Sequence, residues 1–391
     1  MTLPLEGIKV LDLTRLLPGP FCSLLLADFG AEVIKVEQPG PGDYIRWFPP
    51  LVEDTSGIFL LLNRNKKSLT LNLRMEKGRE IFYRLVQEAD VVLEGFRPGV
   101  AKKLAIDYEA VQKINPRVVY CSISGYGQDG PYVDQPGHDI NYLGYAGVLG
   151  ITGRAGELPA VPGVQIADIG GGALMAAIGI LLALMARQHT GRGQFVDIAM
   201  LDGVISWLPV VAGTYFGDGI VPGPGETRLT GKYACYDVYR TRDGRYVSLG
   251  ALEPHFWEKL CCYFGKEEYS KWQFTDEKQD ELRGFLRKQF LSRDRDEWVE
   301  IFREIDTCGG PVYNLAEVFA DPQVLHRRMV FEMAHPRLGK IKQLGFSIKL
   351  SATPARVRQA PPDLGEHTEE ILKGLGYSPA DLAALRKDGI I

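Results

Sequence analysis

The stretch GIKVLDLTRLLPGPFCSLLLADFGAEVIKVE, residues 7–37, decides the fold class. Two short runs rich in β-branched and other apolar residues, 8–13 and 32–37, enclose a helical pattern over 20–29. A strand, a helix and a second strand in this order are typical of two parallel strands joined by a crossover helix. The stretch therefore predicts a β-α-β unit near the start of the chain.

The same alternation continues through the first two hundred residues. Further candidate strands are 68–73, 90–94, 118–122 and 194–199, and further candidate helices are 77–88, 108–115, 171–188 and 202–215. Apolar strands that alternate with helices are typical of a parallel sheet covered on both faces. We therefore predict an α/β fold with a doubly wound first domain.

A Gly- and Pro-rich segment, 217–231, follows this pattern and predicts a linker. Residues 236–250, YDVYRTRDGRYVSLG, predict a β-hairpin whose turn contains Arg242, Asp243 and Gly244. Helical patterns follow over 255–264, 276–291 and 294–304. This part of the chain predicts a smaller second domain that combines strands and helices.

Length and composition favour a two-domain protein and argue against several classes of function. The chain has 391 residues, more than one ordinary core accommodates. Its formal net charge of -4 argues against nucleic acid as a partner, because non-specific binding to phosphates needs an excess of cations. The six cysteines form no CxxC pair and the six histidines lie at no ligand spacing from them, so we expect reduced thiols and no metal site.

Two segments bear on where the protein resides. The N-terminus has no long apolar run and the C-terminus has no lipidation box, so we expect a cytoplasmic protein. Residues 169–186 are uncharged and approach the length of a membrane span. Because this segment is rich in Gly and Ala and stands within a charged α/β chain, we predict a buried core helix and no membrane association.

Asp168 precedes three glycines and a long apolar helix, in the string DIGGGALMAAIG. An aspartate in this place is a good helix N-cap, since its oxygens accept hydrogen bonds from free N–H groups of the first turn. The glycines are poor helix formers and indicate a close approach by a ligand. A helix N-terminus also supplies N–H donors for a developing oxyanion. Asp168 is therefore either a structural cap or a catalytic carboxylate.

His138, in PGHDINYLGYAG, and Glu253, in SLGALEPHF, are the other candidate acid/base groups. Each has a simpler alternative, a hydrogen-bonded loop histidine and a solvated turn carboxylate. A carboxylate that orients an imidazole would set its pKa for proton transfer. Seven cations on three loops are either solvated surface or phosphate ligands: Arg64, Lys66, Lys67, Arg74, Arg97, Lys102 and Lys103.

A glycine pattern at 125–130, GYGQDG, has the spacing of a dinucleotide-binding loop. Pro131 follows it directly and no periodic helix begins there, so the required context is missing. We therefore predict no NAD site.

Taken together, these segments resemble the family III coenzyme A-transferases (the CaiB/BaiF superfamily) and the α-methylacyl-CoA racemases that share their fold. The resemblance covers essentially the whole chain. It rests on residues 11–40, LNRNKKSLTLNLR at 62–74, VVLEGFRPG at 91–99, INPRVVYCSISGYGQDGPY at 114–132, DIGGG at 168–172 and TGRGQFVDIAMLDG at 190–203.

The resemblance implies a Rossmann-like large domain that includes the C-terminal tail, residues 1–216 with 335–391, and a small α+β domain, 232–334. It implies an interlaced homodimer, an acyl-CoA substrate and no cofactor beyond the coenzyme A of that substrate. The residues that it implies for coenzyme A binding are Leu17, Pro18, Leu71, Arg74, Gly95, Phe96, Arg97 and Lys103. Backbone near Asp139, Gly170 and Gly171 would stabilise an enolate oxygen.

The branch within this superfamily depends on a few residues. Similar racemases transfer a proton with the aspartate at Asp168, the histidine of GHDINY, which is His138, and a glutamate matching Glu253. Similar transferases use the aspartate as a nucleophile that forms an acyl anhydride, with a second carboxylic acid as acceptor. Those that act on oxalate usually carry lysine and tyrosine where this chain has Pro136 and His138.

We therefore expect a 2-methylacyl-CoA racemase. The alternatives are a family III CoA-transferase and a non-catalytic coenzyme A-binding subunit of a heteromeric transferase. Gln38 stands where the family more often has arginine, a position that the resemblance implies for one contact to the adenine or a phosphate of coenzyme A.

Overall fold

The computed structural model describes residues 2–391, which form two compact units. The larger unit comprises residues up to 146, 164–207 and 322–391, and the smaller comprises 147–163 and 208–321. The predicted domain boundaries at 216/217 and 334/335 differ from these divisions.

The described chain contains short strands and many helices. The strands are β1 (Lys9–Asp12), β2 (Glu32–Glu37), β3 (Leu51–Val52), β4 (Thr55–Ser56), β5 (Lys66–Thr70), β6 (Val91–Glu94), β7 (Val119–Ser124), β8 (Phe195–Ala199), β9 (Tyr236–Arg240), β10 (Tyr246–Gly250), β11 (Gly309–Pro311), β12 (Val330–His335) and β13 (Gly339–Leu344). The α-helices are α1 (Pro18–Asp28), α2 (Gly57–Leu62), α3 (Glu76–Val86), α4 (Val100–Lys103), α5 (Tyr108–Ile114), α6 (Asp139–Tyr145), α7 (Val148–Ile151), α8 (Met175–Thr190), α9 (Met200–Ile205), α10 (Pro209–Asp218), α11 (Pro254–Tyr263), α12 (Gln279–Phe290), α13 (Arg295–Glu304), α14 (Leu315–Val318), α15 (Pro322–His326), α16 (Thr368–Gly374) and α17 (Pro379–Lys387). A π-helix, Ile166–Leu174, leads directly into α8, and short 3-10 helices lie at Tyr44–Trp47, Glu267–Trp272 and Asp276–Lys278.

A six-stranded sheet organises the larger unit, in the order β5-β2-β1-β6-β7-β8. All five of its strand pairs are parallel. Every predicted strand of the first two hundred residues is present, with ends that differ by up to three residues. The predicted α/β fold with a parallel sheet is therefore confirmed.

The C-terminal tail contributes to the core of this sheet. Leu372 of α16 and Leu382 and Leu385 of α17 are buried in the same apolar cluster as Leu11 of β1 and Phe82 of α3. Burial removes these large apolar side chains from water, and each contributes about 1.5–3 kcal/mol to the stability of the folded protein. The tail therefore belongs to the larger unit, although it lies more than 300 residues from β1 in sequence.

The smaller unit is built around the predicted hairpin. Strands β9 and β10 pair in antiparallel register from Arg240↔Tyr246 to Tyr236↔Gly250, and β11 adds to β10. Trp257 of α11, Phe290 of α12 and Trp298 of α13 fill its core. The prediction of a hairpin followed by helices is confirmed.

The predicted helix over 202–215 was wrong in one respect, because the chain forms two helices there, α9 and α10. Pro209 is the first residue of α10; it lacks a backbone N–H and its ring obstructs the preceding turn, so one continuous helix is excluded. The two compact units divide at the same place, between residues 207 and 208.

The apolar segment predicted as a core helix spans Ile166–Thr190 when the π-helix is included. By length and composition alone it is long enough to cross a membrane, and half of its most apolar window is buried inside the protein. A core helix passes the same test of length and composition.

Candidate active site

The chain order of the sheet reverses between β1 and β6, and the main cleft of the larger unit opens there. Segments that follow the carboxyl ends of three strands line it: residues 13–16 with 18 and 19 after β1, 95–98 after β6 and 125–127 after β7. The cleft has a volume of about 520 Å³. Ligands of open parallel sheets bind at such a switch point, because neighbouring loops turn to opposite sides and leave a crevice.

Asp168 lines the main cleft and is half-buried. It lies in the first turn of the π-helix, which begins at Ile166. The carboxylate of Asp139 accepts hydrogen bonds from the backbone N–H groups of Ala167 at 2.7 Å and Asp168 at 3.0 Å. Asp139 therefore caps the free N–H groups at the start of this helix. The interpretation of Asp168 as the helix N-cap was wrong.

The pKa of Asp168 is raised to about 6. Burial is the largest cause, since the charged form loses solvation, and the nearby negative charge of Asp139 raises the pKa further. His138 acts in the opposite direction. A carboxyl group with a pKa near neutrality exchanges protons readily in both directions, as an acid/base catalyst requires. It is also still mostly ionised at pH 7, as a nucleophile requires.

His138 lines the same cleft as Asp168 and immediately precedes α6. Its backbone N–H donates to Asn141 Oδ1 at 3.0 Å, which fixes the start of the helix. Tyr142, one turn further along α6, also lines the cleft and donates from its hydroxyl to the carbonyl of Gly137 at 2.6 Å. Two hydrogen bonds thus hold the peptide unit between Gly137 and His138, directly before the exposed imidazole.

The three glycines after Asp168 have a structural explanation in their packing. A Cβ on Gly170 would lie 1.9 Å from the ring of Trp207, and one on Gly171 would lie 2.5 Å from the carbonyl of Met200. At Gly171 the π-helix therefore approaches the backbone of α9 too closely for a side chain, and at Gly170 a side chain would have to displace the ring of Trp207, which follows α9. This packing replaces the interpretation that the glycines make room for a ligand; oxyanion binding by Gly170 or Gly171 stays a prediction.

Glu253, the third predicted catalytic residue, lies in the smaller unit, where it is exposed and precedes α11. His138 and Asp168 both lie in the larger unit. The structure brings the histidine and the aspartate to one cleft, and the role of Glu253 as the partner of His138 stays a prediction.

The predicted coenzyme A residues lie around two adjoining cavities. Pro18, Gly95 and Arg97 line the main cleft. Leu71 and Arg74 line a side cavity of about 150 Å³ between Val36–Asp43 and Leu71–Arg74, and Phe96 lines both. Leu17 directly precedes Pro18, and Lys103 ends α4, whose first residue lines both cavities.

The seven cations that the sequence offered as either solvated surface or phosphate ligands divide into two groups. Arg64 is buried in a bidentate pair with Asp28, and Lys66 is fully buried against Asp12 and the carbonyl of Pro20. Lys67 pairs with two glutamates. These three pair with groups of the protein itself, which argues against the alternative that they bind phosphates. Arg74, Arg97, Lys102 and Lys103 are exposed.

Arg15 is a cation that the sequence interpretation missed. It is exposed, lines both cavities, and its guanidinium lies 5.6 Å from the centre of the Phe96 ring. Its position three residues after the end of β1 was the available signal, because the loop after the first strand of such a sheet faces the ligand. Gln38 also lines the side cavity.

Comparison with known proteins gives consistent results. The model of the family described as CoA-transferase family III matches residues 5–368. Succinyl-CoA:glutarate CoA-transferase of Homo sapiens is 36% identical over 99% of this chain and 90% of its own length. Alpha-methylacyl-CoA racemase of Homo sapiens is also 36% identical, over 99% of this chain and 97% of its own length. A solved CAIB/BAIF family protein from Brucella suis superposes with a TM-score of 0.84 at 34% identity, over 96% of this chain and all of its own.

Proposed function

This chain belongs to CoA-transferase family III, and on that premise we propose that it racemises 2-methylacyl-CoA thioesters by moving the α-proton between the two faces of the α-carbon. The observation that carries the proposal is that the imidazole of His138 and the carboxyl group of Asp168 line one cleft. An alpha-methylacyl-CoA racemase is among the relatives that match nearly the full chain.

In one direction, the neutral imidazole of His138 takes the α-proton and becomes imidazolium. The electron pair of the broken C–H bond moves to the thioester carbonyl, which becomes an enolate oxygen. The protonated carboxyl of Asp168 then delivers its own proton to the opposite face of the α-carbon and is left as carboxylate. The reverse reaction exchanges these roles, so each group must be accessible in both protonation states. The pKa of Asp168 near 6 supports this requirement.

Coenzyme A transfer is the second candidate function, favoured by relatives such as succinyl-CoA:glutarate CoA-transferase. In that reaction the ionised carboxylate of Asp168 attacks the thioester carbonyl. The carbon–sulfur bond breaks, coenzyme A thiolate leaves, and the acyl group remains on Asp168 as a mixed anhydride. A carboxylic acid is then needed as acceptor, and His138 only shapes the site.

Solvent deuterium distinguishes the two functions. With either enantiomer of a 2-methylacyl-CoA in deuterium oxide, we expect deuterium at the α-carbon without any added acid, measured by mass spectrometry. Absence of α-deuteration across a panel of branched acyl-CoAs, together with acceptor-dependent formation of a new thioester and an acyl group on Asp168 that hydroxylamine traps, would establish coenzyme A transfer instead.

Substrate binding through coenzyme A is tested at Arg97. The exposed guanidinium lines the main cleft, and a hydrogen bond to a charged group contributes about 1.5–3 kcal/mol. We expect Arg97→Ala to weaken coenzyme A binding by that amount, measured by calorimetry. Lys113→Ala, which removes an exposed cation on α5 away from both cavities, is the control. Equal affinity of the two variants for coenzyme A would mean that Arg97 is a solvated surface residue and does not contact coenzyme A.

We also propose that the protein is a homodimer. Support comes from α8, where Ile178, Leu181, Leu182 and Met185 lie at helical spacing and are 39–61% exposed in the single chain. A contiguous apolar stripe of this kind is typical of an interaction surface.

A further inference from the structure

Glu94, the last residue of β6, is a buried acid next to the main cleft, with 3% of its surface exposed. Its Oε2 accepts a hydrogen bond from the backbone N–H of Phe96 at 2.7 Å. Its Oε1 accepts from the hydroxyl of Ser122, in the neighbouring strand β7. That hydroxyl in turn accepts from the side-chain amide of Gln128 at 2.8 Å. The Glu94 carboxylate therefore connects the loops that follow β6 and β7 through hydrogen bonds.

No cation within residues 2–391 forms an ion pair with this carboxylate. The titratable side chains that face it are Asp197, Tyr120 and Cys121, and none of them carries a positive charge. Burial raises the pKa of Glu94 to about 7. A buried carboxylate without a cationic partner is unfavourable for folding even when it accepts hydrogen bonds, so its presence indicates a role that outweighs this cost.

The segment that Glu94 holds carries two side chains that line the cavities. Phe96 lines both cavities, and its ring is covered by the guanidinium of Arg15. Arg97 lines the main cleft and donates to the carbonyl of Asp134 at 2.8 Å, in the segment that leads to His138. A charge-assisted hydrogen bond to the Phe96 N–H therefore fixes the direction of two side chains that face the ligand.

We propose that Glu94 is a positioning residue, whose carboxylate holds the Gly95–Arg97 turn in the conformation that binds the coenzyme A part of the substrate. The inference rests on the proposed use of acyl-CoA, and it holds for either reaction at Asp168. Glu94 itself touches neither the thioester nor the reacting α-carbon.

The test compares Glu94→Ala with Glu94→Gln. Alanine removes the acceptor of the Phe96 N–H, so we expect the Kd for coenzyme A to rise by about tenfold or more, the usual effect of losing a hydrogen bond to a charged group. Turnover at saturating acyl-CoA should stay within about threefold of wild type, because the chemical groups are untouched. Glutamine keeps an acceptor oxygen and the same size, so it should restore most of the affinity.

Two further measurements keep the proposal falsifiable if the alanine variant folds poorly. Glu94 changes its protonation state between pH 6 and 8 and glutamine does not, so coenzyme A affinity should vary more with pH in wild type than in Glu94→Gln. Ionisations of coenzyme A itself affect both proteins equally. Without ligand, exchange of the Phe96 amide hydrogen should be faster in Glu94→Ala. Asp28→Asn, which removes a buried acid that lines neither cavity, controls for general destabilisation and should leave the Kd unchanged.

Unchanged coenzyme A affinity and unchanged Phe96 exchange in Glu94→Ala would overturn the proposal, as would equal loss of affinity in Asp28→Asn. Failure of wild type to bind coenzyme A would instead overturn the proposed function. The exchange measurement separates the two results, because it needs no ligand.

Discussion

Replacement of Asp168 by Asn is expected to lower turnover on any acyl-CoA by about 10²–10⁴-fold, the contribution of a positioned acid or base. Asparagine has nearly the same shape but neither donates nor accepts a proton, and it is no nucleophile. The variant therefore removes the group that racemisation and coenzyme A transfer share. Steady-state kinetics with a branched acyl-CoA, and calorimetry with coenzyme A to confirm that binding is retained, provide the measurement.

The stability of the same variant distinguishes loss of chemistry from loss of fold. The pKa of Asp168 is raised from 3.8 to about 6, so the folded chain holds this proton more tightly than the unfolded chain does. Below about pH 3 the group is mostly protonated in both states; as the pH rises to 6 and above, wild type loses about 3 kcal/mol of folding free energy that the asparagine variant retains. Asp168→Asn should thus be more stable than wild type at pH 8, and about equally stable near pH 3.

Asp129→Asn is the matched control, because Asp129 is an exposed aspartate on the loop after β7 and lines neither cavity. It should keep nearly full activity. Loss of an acid or base should lower the activity of Asp168→Asn far below a tenth of wild type. If the variant keeps more than about a tenth of wild-type activity, the catalytic carboxylate lies elsewhere.

His138→Ala is expected to slow incorporation of solvent deuterium at the α-carbon by about 10²-fold or more. The imidazole is the proposed proton acceptor on the face opposite Asp168, and alanine leaves no group there that exchanges a proton. Exchange is followed separately for the two enantiomers, because the enantiomer whose α-proton faces His138 should show the larger drop in exchange rate. His189→Ala, at an exposed position near the end of α8, should leave exchange unaffected.

Persistence of α-proton exchange in His138→Ala would remove His138 from the racemisation mechanism. If the same variant also transferred coenzyme A to an added carboxylate at the wild-type rate, the histidine would serve only to shape the cleft. The second result would favour the transferase reaction at Asp168, whereas persistent exchange alone would mean that another group accepts the α-proton.

The sequence by itself determined which segments form the sheet and which residue types could perform the chemistry. Strand and helix patterns are local, since a run such as 32–37 shows its apolar character without reference to any other segment. The β9–β10 hairpin is local for the same reason, because a short turn brings its strands together. His138 and Asp168 could be singled out by their surroundings in sequence, and their presence in one cleft follows from loops that converge at the switch point.

Only the tertiary structure decided what the polar residues near the cleft do. In sequence, Lys66 resembles Arg74, yet Lys66 is buried against Asp12 and Arg74 lines a cavity. Partners far apart in the chain determine that difference, as they do for Asp139, which caps the turn of Asp168 29 residues away. Whether a charge faces a ligand, or is neutralised by a partner within the protein, depends on distance and burial in three dimensions, which no pattern of neighbouring residues encodes.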